Sequence, residues 1–444
     1  MIAFASLFLG LIVGIQPVSL LVGDSVASVE LLLDGRIIGS LEGGDWTLPC
    51  DFGKELVPHE LVAIGYNGDH KEVARARQLV NLSRRPAETA VVLNGGKDGR
   101  GVKARLSWNS VVGAKPVSTT VSFDGQTLDV ADPSSIPLPD FDPKALHFLR
   151  AELDFSSTVS SVAEITFGGS YTDRINTELT AVPVMLEEAG ELPAPRDLRG
   201  VFRKQDQDLT VVASEKGLAE VIIVRDEKAR RGLGQLGRIS LRELKKRARY
   251  GISGDITRNS LRMRMALRQD LRVRFLWPFS QLQERDHFSI DVFSPSQEFT
   301  AEDGGFYWLL TRTTPPSRDL EKQRLSDAVA AAGMLVARRN RRRAVLLLLG
   351  DKLGDSSQFR PSQVTGYLRS LRVPLFVWST AGGNDLLSST WGAVTEISSM
   401  RDLERAISRL YKVLDRQRVV WLDGVHLPQE INLASAELGF SLVR

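Results

Sequence analysis

Two hydrophobic periodicities divide this chain. In the first half, apolar and polar residues alternate over short runs such as "HELVAIGY" (59–66) and "HFLRAELDF" (147–155). A period of two is typical of β-strands that bury one face. In the second half, continuous apolar runs such as "AVLLLLG" (344–350) alternate with amphipathic helical patterns. These runs indicate strands that are buried on both faces, as in a parallel sheet covered by helices.

The first half contains an internal repeat whose two copies lie about 90 residues apart. Each copy has an Asp-Gly pair after an apolar run, then a Leu-Pro step and a strand that begins with a histidine, His59 or His147. Asp-Gly between apolar runs is a strong hairpin signal. The repeat predicts two tandem all-β modules of the immunoglobulin-like sandwich type, at residues 17–92 and 93–186. We expect both histidines to form hydrogen bonds at the strand entry and not to bind metal, because no second ligand lies nearby in sequence.

Residues 187–199 are rich in proline, glycine and charge, which predicts a linker. An α/β domain is predicted at residues 200–424. Residues 425–444 form a C-terminal tail whose role the sequence leaves open. The fold class is therefore mixed: two all-β modules, then a doubly wound α/β domain with a mostly parallel central sheet. The candidate strands of this second half are residues 209–214, 219–224, 272–277, 288–294, 343–350, 374–379, 392–398 and 418–423.

The N-terminal residues 1–16 have two interpretations. The apolar stretch 2–15 is too short to span a bilayer but suits the core of a signal peptide, with Ala27 as a weak cleavage site. The alternative is a first β-strand. We expect export to the periplasm or the cell exterior, with a cytoplasmic location as the alternative, and we expect no transmembrane helix.

The stretch "AEVIIVRDEKARRGLGQLG" (219–237) contains a buried strand and a GxGxxG pattern at Gly232, Gly234 and Gly237. A dinucleotide-binding turn needs its first glycine directly at the strand end, so that backbone amides meet the pyrophosphate. Here seven residues separate Val224 from Gly232. The spacing therefore disfavours a nucleotide site and leaves the strand end itself as the candidate.

The order of elements resembles a known family. A buried strand ending at Asp226, a long Ala-rich helix and a buried strand ending at Asp351 follow the layout of a von Willebrand factor A (vWA) domain. "LSDAVAAAGMLVARRNRRRAVLLLLGD" and "VTGYLRSLRVPLFVWS" are similar to VWFA-related proteins of the acidobacterial type, as are "VASVELLLDGR" and "DFGKELVPHELVAIGY" in the first half. The resemblance covers nearly the whole chain, and it implies protein–protein recognition or surface adhesion.

Members of the broader superfamily bind Mg²⁺ at a metal-ion-dependent adhesion site, through an Asp-x-Ser-x-Ser turn, a loop threonine and a second aspartate. In this chain the turn reads "DEKAR", so Asp226 keeps the first position while Lys228 and Arg230 replace the serines. Asp351 matches the second aspartate, and Thr313 or Thr314 the threonine.

Two cations at ligand positions repel a dication and offer it no lone pair. We therefore expect a degenerate site without an ion, in which Lys228 or Arg230 pairs with Asp226 or Asp351. A working Mg²⁺ site is the alternative, which requires both basic side chains to turn to solvent.

Composition narrows the function classes. Cys50 is the single cysteine, the five histidines show no zinc-hydrolase spacing, and no GxSxG is present, so we predict no catalytic residues and no enzyme. The net charge of +3 gives no global argument for nucleic acid. Residues 225–275 are locally basic, with 16 Lys and Arg against five acids, which favours an acidic protein or an anionic surface as partner. Aromatics for base stacking are nearly absent there, so sequence-specific nucleic-acid binding is disfavoured.

These observations predict a non-enzymatic binding or scaffold protein without a cofactor, whose protein partner the sequence leaves open. The alternatives are a functional Mg²⁺-dependent vWA adhesin and an intracellular interaction scaffold.

Overall fold

The computed structural model describes the chain except for residues 7, 9, 83–86, 96–98, 111–114, 157–158, 169–178, 189, 237–264, 285–288, 316–321, 351–353, 382–389, 436–438 and 444. Two compact units are present. The first contains residues 1–176 and 282–290, and the second contains residues 177–281 and 291–444. Strand is more abundant than helix in the described residues. None of the helices in the described ranges is long and apolar enough to cross a bilayer.

The first unit begins with a β-sandwich of two antiparallel sheets, ordered β1-β2-β5 and β4-β3-β6-β7. Its strands are β1 (Ile2–Phe4), β2 (Ile15–Val22), β3 (Ser28–Leu33), β4 (Arg36–Glu42), β5 (Thr47–Asp51), β6 (His59–Tyr66) and β7 (Glu72–Val80). Alternating side chains of both sheets, such as Val18 and Leu61, meet in one core. The apolar positions of the alternation predicted for β6 therefore include side chains that point into this core.

The apolar N-terminal stretch contributes a strand to this sandwich. All three residues of β1 are buried, and Ile2 and Phe4 belong to the core. The module therefore includes residues before its predicted start at residue 17. Cleavage after Ala27 would remove β1 and β2 together with their buried side chains. Export itself stays a prediction.

The second module of the first unit repeats this architecture, with sheets ordered β12-β9-β8 and β11-β10-β13-β14. The strands are β8 (Ala87–Asn94), β9 (Lys103–Ser110), β10 (Ser118–Phe123), β11 (Gln126–Leu128), β12 (Ile136–Pro137), β13 (His147–Ser156) and β14 (Val159–Phe167). Leu106 and Leu149 come from opposite sheets and share one core. The predicted tandem pair of β-sandwich modules is confirmed at this level.

Both modules contain the same hydrogen-bonded hairpin turn. Asp34 and Asp124 have positive φ angles of 51° and 49°, and the glycine after each is also at positive φ. One carboxylate oxygen of each lies 2.7 Å from Nδ1 of a histidine, His59 or His147. The other oxygen accepts the N–H of the residue after that histidine, at 2.9 Å and 2.8 Å. Both the hairpin prediction and the hydrogen-bonding role of the two histidines are confirmed.

The pair in the second module makes stability depend on pH. Burial opposes protonation of His147, but hydrogen bonds to Asp124 and to the carbonyl of Asp142 outweigh it and raise its pKa above 6.5. Burial also acts to raise the pKa of Asp124, but hydrogen bonds from His147 and the Phe148 N–H prevail and lower it below 3.8. The contribution of His147 to the stability of the folded state is complete below pH 6.5 and is lost as pH rises through its folded pKa. The contribution of Asp124 to that stability is lost as pH falls through the folded pKa of Asp124.

We expect the free energy of opening of the β10–β11 hairpin to be lower by about 1 kcal/mol at about pH 9 than at about pH 5. The effect is small because Asp124 is partly exposed. Hydrogen exchange at the Phe148 amide, corrected for the intrinsic pH dependence of exchange, measures it. In the Asp124→Asn variant this pH dependence should disappear. An unchanged dependence in that variant would contradict the assignment to the His147–Asp124 pair.

The described residues from 179 onward form fourteen strands, five helices and three short 3₁₀ turns, and most of β21 and β22 belongs to the first unit. The strands are β15 (Leu179–Leu186), β16 (Phe202–Lys204), β17 (Gln207–Asp208), β18 (Val211–Glu215), β19 (Ala219–Arg225), β20 (Leu271–Leu276), β21 (Gln281–Glu284), β22 (Ser289–Val292), β23 (Arg342–Leu349), β24 (Leu375–Ser379), β25 (Val394–Glu396), β26 (Gln417–Asp423), β27 (Ile431–Leu433) and β28 (Phe440–Leu442). The helices are α1 (Glu227–Leu236), α2 (Phe306–Arg312), α3 (Leu325–Arg338), α4 (Pro361–Ser370) and α5 (Met400–Arg416).

The centre of the second unit is a five-stranded sheet of order β20-β19-β23-β24-β25, in which every pair is parallel. All residues of β19 and β23 are buried. Helices α1, α2 and α5 pack on one face, and α3 packs on the other. The predicted parallel sheet is confirmed, although three candidate strands do not join it. In residues 288–294, β22 pairs with β21 in a separate hairpin. Residues 209–214 and 418–423 contribute to β18 and β26, which pair with each other in an antiparallel sheet.

Segments on both sides of this α/β region form a third β-structure, with sheets ordered β18-β26-β15-β28 and β17-β16-β27. Val184, Phe202, Val420 and Phe440 share its core. The structure differs here from the predicted boundaries, which place β15 in the second module, residues 187–199 in a linker and residues 425–444 in a tail. Because β15 pairs with β26 and β28, all three segments belong to one small β-domain into which the α/β region is inserted.

Candidate functional site

The carboxyl ends of β19 and β23 form the candidate site. The strand that follows β19 in the chain, β20, lies on one side of β19 in the sheet, and the later strand β23 lies on its other side. The order in which the chain adds strands to the sheet therefore reverses between β19 and β23. Open α/β sheets bind ligands at the carboxyl edge of such a reversal. Here β19 ends at Arg225, Asp226 follows, and α1 begins at Glu227.

The Asp226 carboxylate is bound by backbone donors. Oδ1 accepts the N–H of Lys228 at 3.0 Å, and Oδ2 accepts the N–H of Gly350 at 3.2 Å. Burial raises the pKa of Asp226, and these two hydrogen bonds, the Lys228 charge and a hydrogen bond with the Gln323 side chain offset that increase only in part. Asp226, which is 1% exposed, therefore ties the start of α1 to the end of β23.

The two predicted cations have different surroundings. The positive charge of Lys228 acts against the rise in the pKa of Asp226. The predicted ion pair of Lys228 or Arg230 with Asp226 or Asp351 stays a prediction for Lys228. Arg230 does not pair with Asp226; its Nη1 lies 3.9 Å from a carboxylate oxygen of Glu227, one helical turn away. This departure follows from helix geometry, because residues three apart share a face. Asp351, the second predicted acid, lies outside the described residues.

Glycines around the site serve packing. A Cβ on Gly350 would lie 2.6 Å from the Cβ of Lys228, so only glycine permits this approach of β23 to α1. Gly232 and Gly234 lie within α1, and a Cβ on Gly232 would lie 2.5 Å from Oγ1 of Thr380. Two glycines of the GxGxxG pattern are thus helical residues, while Gly237 lies outside the described residues. The geometry agrees with the rejection of a nucleotide turn.

Arg225 connects the strand end to the loop after α2. Its Nη1 donates to the carbonyl of Leu310 at 2.5 Å, and its Nη2 donates to the carbonyl of Thr313 at 2.8 Å. Nη2 also contacts the Glu227 carboxylate at 2.6 Å. These bonds place Thr313, a predicted loop threonine, beside the strand end through its backbone.

The Arg225 guanidinium is completely buried, at 0% exposure, beside the rings of Phe275 and Trp277, with Cζ 5.7 Å and 5.3 Å from the ring centroids. Burial lowers the pKa of Arg225, and the neighbouring Glu227 counteracts this in part. The sequence pattern alone predicts no role for Arg225. The available signal was an arginine that continues a wholly apolar strand.

Two further carboxylates, for which the sequence pattern predicts no role, fix the loop before α4. Asp327 accepts the backbone N–H groups of Gln358 and Phe359, both at 2.9 Å, and pairs with Arg324 at 2.6 Å. In return, Asp355 accepts the backbone N–H groups of residues 325 and 326 at 2.8 Å and 3.2 Å. This reciprocal arrangement holds the loop against the N-terminus of α3, next to Gln323.

The site thus consists of a buried aspartate bound by backbone amides, a neighbouring lysine and two clamped loops. Across the residues that the structure describes, no cluster of three or more His, Cys, Asp or Glu side chains is placed to hold a metal ion. Most of the predicted basic region, residues 237–264 of 225–275, lies outside the described residues.

No known protein-family profile and no curated protein matches this chain. Among solved structures, the fibronectin(III)-like modules of CbhA from Clostridium thermocellum are similar, at 17% identity over 18% of this chain and 93% of that one, with a TM-score of 0.17. The central fibronectin-III array of RIM-binding protein is 10% identical over 46% of this chain and 83% of its own, with a TM-score of 0.19. SGBP-B of the Bacteroides ovatus mixed-linkage glucan utilization locus is 11% identical over 47% and 57%, with a TM-score of 0.14. TM-scores this low carry no functional argument.

Proposed function

We propose that this chain is a non-enzymatic binding protein, in which a vWA-like α/β domain recognises a protein partner without a metal ion. The observation that carries the proposal is the Asp226 carboxylate, whose two oxygens accept backbone N–H groups while the Lys228 charge acts on it. A carboxylate in this state stabilises the fold, and the positive charge of Lys228 acts on it.

Electrostatics favours this proposal over a Mg²⁺-dependent adhesin. A unit positive charge about 4 Å from a dication costs about 8 kcal/mol at an effective dielectric constant near 20. Magnesium also requires an octahedral shell of oxygen ligands. Lys228 and Arg230 replace the two hydroxyl ligands of the superfamily turn, so they remove oxygen atoms and add charge at once.

The surrounding loops are suited to recognition. Arg225 fixes the loop that follows α2, and Asp327 fixes the loop before α4, both at the carboxyl side of the sheet. A surface whose loops are already ordered loses less conformational entropy when it binds. The buried carboxylates there are engaged by backbone amides, which makes them poor groups for general acid–base catalysis.

Metal titration tests the proposal. We expect neither Mg²⁺ nor Mn²⁺ to release heat in calorimetry with the full chain or to change its melting temperature relative to EDTA. The double variant Lys228→Ser, Arg230→Ser should bind Mg²⁺ measurably, because it removes both cations and restores two hydroxyl ligands.

The matched control is Arg231→Ser, which removes an exposed arginine from the same helix and should not create Mg²⁺ binding. Mg²⁺ binding by the unchanged chain that Asp226→Asn abolishes would overturn the proposal in favour of a metal-dependent adhesin.

A further inference from the structure

A group of charged side chains lies at the opposite, amino-terminal end of the parallel sheet. It involves the start of β19, the edge strand β20, and the turn between α3 and β23. We name the following six side chains the arginine cluster: Glu220, Arg272, Arg274, Glu298, Arg339 and Arg341.

Glu220 is the buried centre of the arginine cluster, at 1% exposure. Its oxygens lie 3.6 Å from Nε of Arg274, 3.8 Å from Nε of Arg339 and 3.7 Å from Nη1 of Arg341. Burial raises the pKa of Glu220, and the charges of the three arginines offset that only in part. All three distances exceed hydrogen-bonding range, and the Arg274 Nε and Arg341 Nη1 atoms have no hydrogen-bond partner among the described residues. Glu220 holds the arginines by charge and leaves their donors incompletely used.

Glu298 shows how the arginine cluster binds a carboxylate at its surface. One of its oxygens accepts from Nη2 of Arg274 at 3.0 Å and from Nη1 of Arg339 at 3.3 Å. Arg272 and Arg341 lie 3.5 Å and 3.6 Å from the same carboxylate. A single partly exposed glutamate is therefore shared among four guanidinium groups.

The charges do not balance. Four arginines against two glutamates leave a net charge of +2. The guanidinium-bearing side chains are 20% to 37% exposed, while the two nitrogen atoms without a hydrogen bond among the described residues, Arg274 Nε and Arg341 Nη1, are themselves buried. Planar guanidinium forks match the geometry of carboxylates, and two further carboxylates would neutralise the group.

We propose that the arginine cluster binds an acidic protein segment through two of its carboxylates. This inference rests on the proposed function only in that the partner is a protein, and it places a contact away from the Asp226 site. The six side chains include no aromatic ring on which a nucleic-acid base could stack. The ligand that the cluster already holds, Glu298, is itself a protein carboxylate.

Binding of fluorescently labelled poly-L-glutamate to the full chain, measured by anisotropy at low salt in the presence of EDTA, tests this. We expect Arg339→Gln to weaken binding about three- to fivefold, and Glu298→Gln to tighten it about threefold, because the second change frees donors and raises the local charge. Arg405→Gln removes an exposed arginine of α5 that pairs with Asp402, and it should leave the affinity unchanged.

The opposite signs of the two cluster variants separate binding from folding, since a purely structural role would give no gain for Glu298→Gln. Equal weakening by Arg339→Gln and Arg405→Gln would show a global charge effect and overturn the proposal. So would absence of poly-L-glutamate binding, or tighter binding of inorganic phosphate or of a sulfated polysaccharide. None of these outcomes affects the metal titration, so the two proposals fail separately.

Discussion

Replacement of Arg225 by methionine is expected to destabilise the α/β domain by about 3–5 kcal/mol, because it breaks a buried ion pair by removing one partner. The variant leaves the carbonyls of Leu310 and Thr313 and the carboxylate of Glu227 without the guanidinium that now contacts all three. Methionine fills much of the volume beside the stacked Phe275 and Trp277 rings, so the loss of stability reports mainly on hydrogen bonds and charge. The loop after α2 should also lose its attachment to β19.

Urea unfolding of the full chain, read peptide by peptide with hydrogen-exchange mass spectrometry, separates this domain from the β-modules. Arg231→Met is the matched control, since Arg231 is exposed on α1, and its effect should stay within about 0.5 kcal/mol. In a double-mutant cycle with Glu227→Gln, the combined cost should be smaller than the sum of the single costs. Equal stability of Arg225→Met and Arg231→Met would refute the role assigned to Arg225.

The second large effect is expected for Asp327→Ala, at about 3 kcal/mol, because it leaves two backbone N–H groups, one buried and one partly buried, and the guanidinium of Arg324 without their acceptor. Asp327→Asn should cost less, since the amide oxygen can still accept one of these N–H groups. The change should also release the loop at residues 354–359 from α3, which would raise its hydrogen-exchange rate more than that of the sheet.

The comparison for this variant is Asp402→Ala, an acid in the first turn of α5 that is partly exposed. Loss of that carboxylate removes a helix-terminus interaction worth about 0.5–1 kcal/mol. If Asp327→Ala cost no more than Asp402→Ala, the reciprocal arrangement of Asp327 and Asp355 would not be what holds the loop.

Local patterns predicted the individual elements well. The period-two alternation of residues 59–66 and the continuous apolar run at 344–350 correspond to β6 and β23. The Asp-Gly pairs and histidines about 90 residues apart correspond to two hairpins with the same hydrogen bonds. These features depend on neighbours in sequence or on one turn type, so the sequence alone carries them.

The candidate site was predictable only in its position. A buried strand ending in an acid indicated that Asp226 lies at the sheet edge, and the cationic replacements at 228 and 230 were visible. That Arg225 turns inward to the loop after α2, and that Asp327 binds backbone amides of residues 358 and 359, depends on loops that approach in space. Neither contact produces a periodic pattern in the sequence.

By itself, the sequence determined the five strands of the parallel sheet, the turns of the two Asp-Gly hairpins, and which positions carry charge at the end of β19. Only the tertiary structure decided that β15 pairs with β26 and β28 more than two hundred residues later, so that a presumed linker and tail enclose the α/β region. Hydrophobic periodicity reports that a strand buries one face, since it reflects burial residue by residue. It does not report which distant strand supplies the opposing face or the hydrogen bonds, because those are set by the packing of the whole chain.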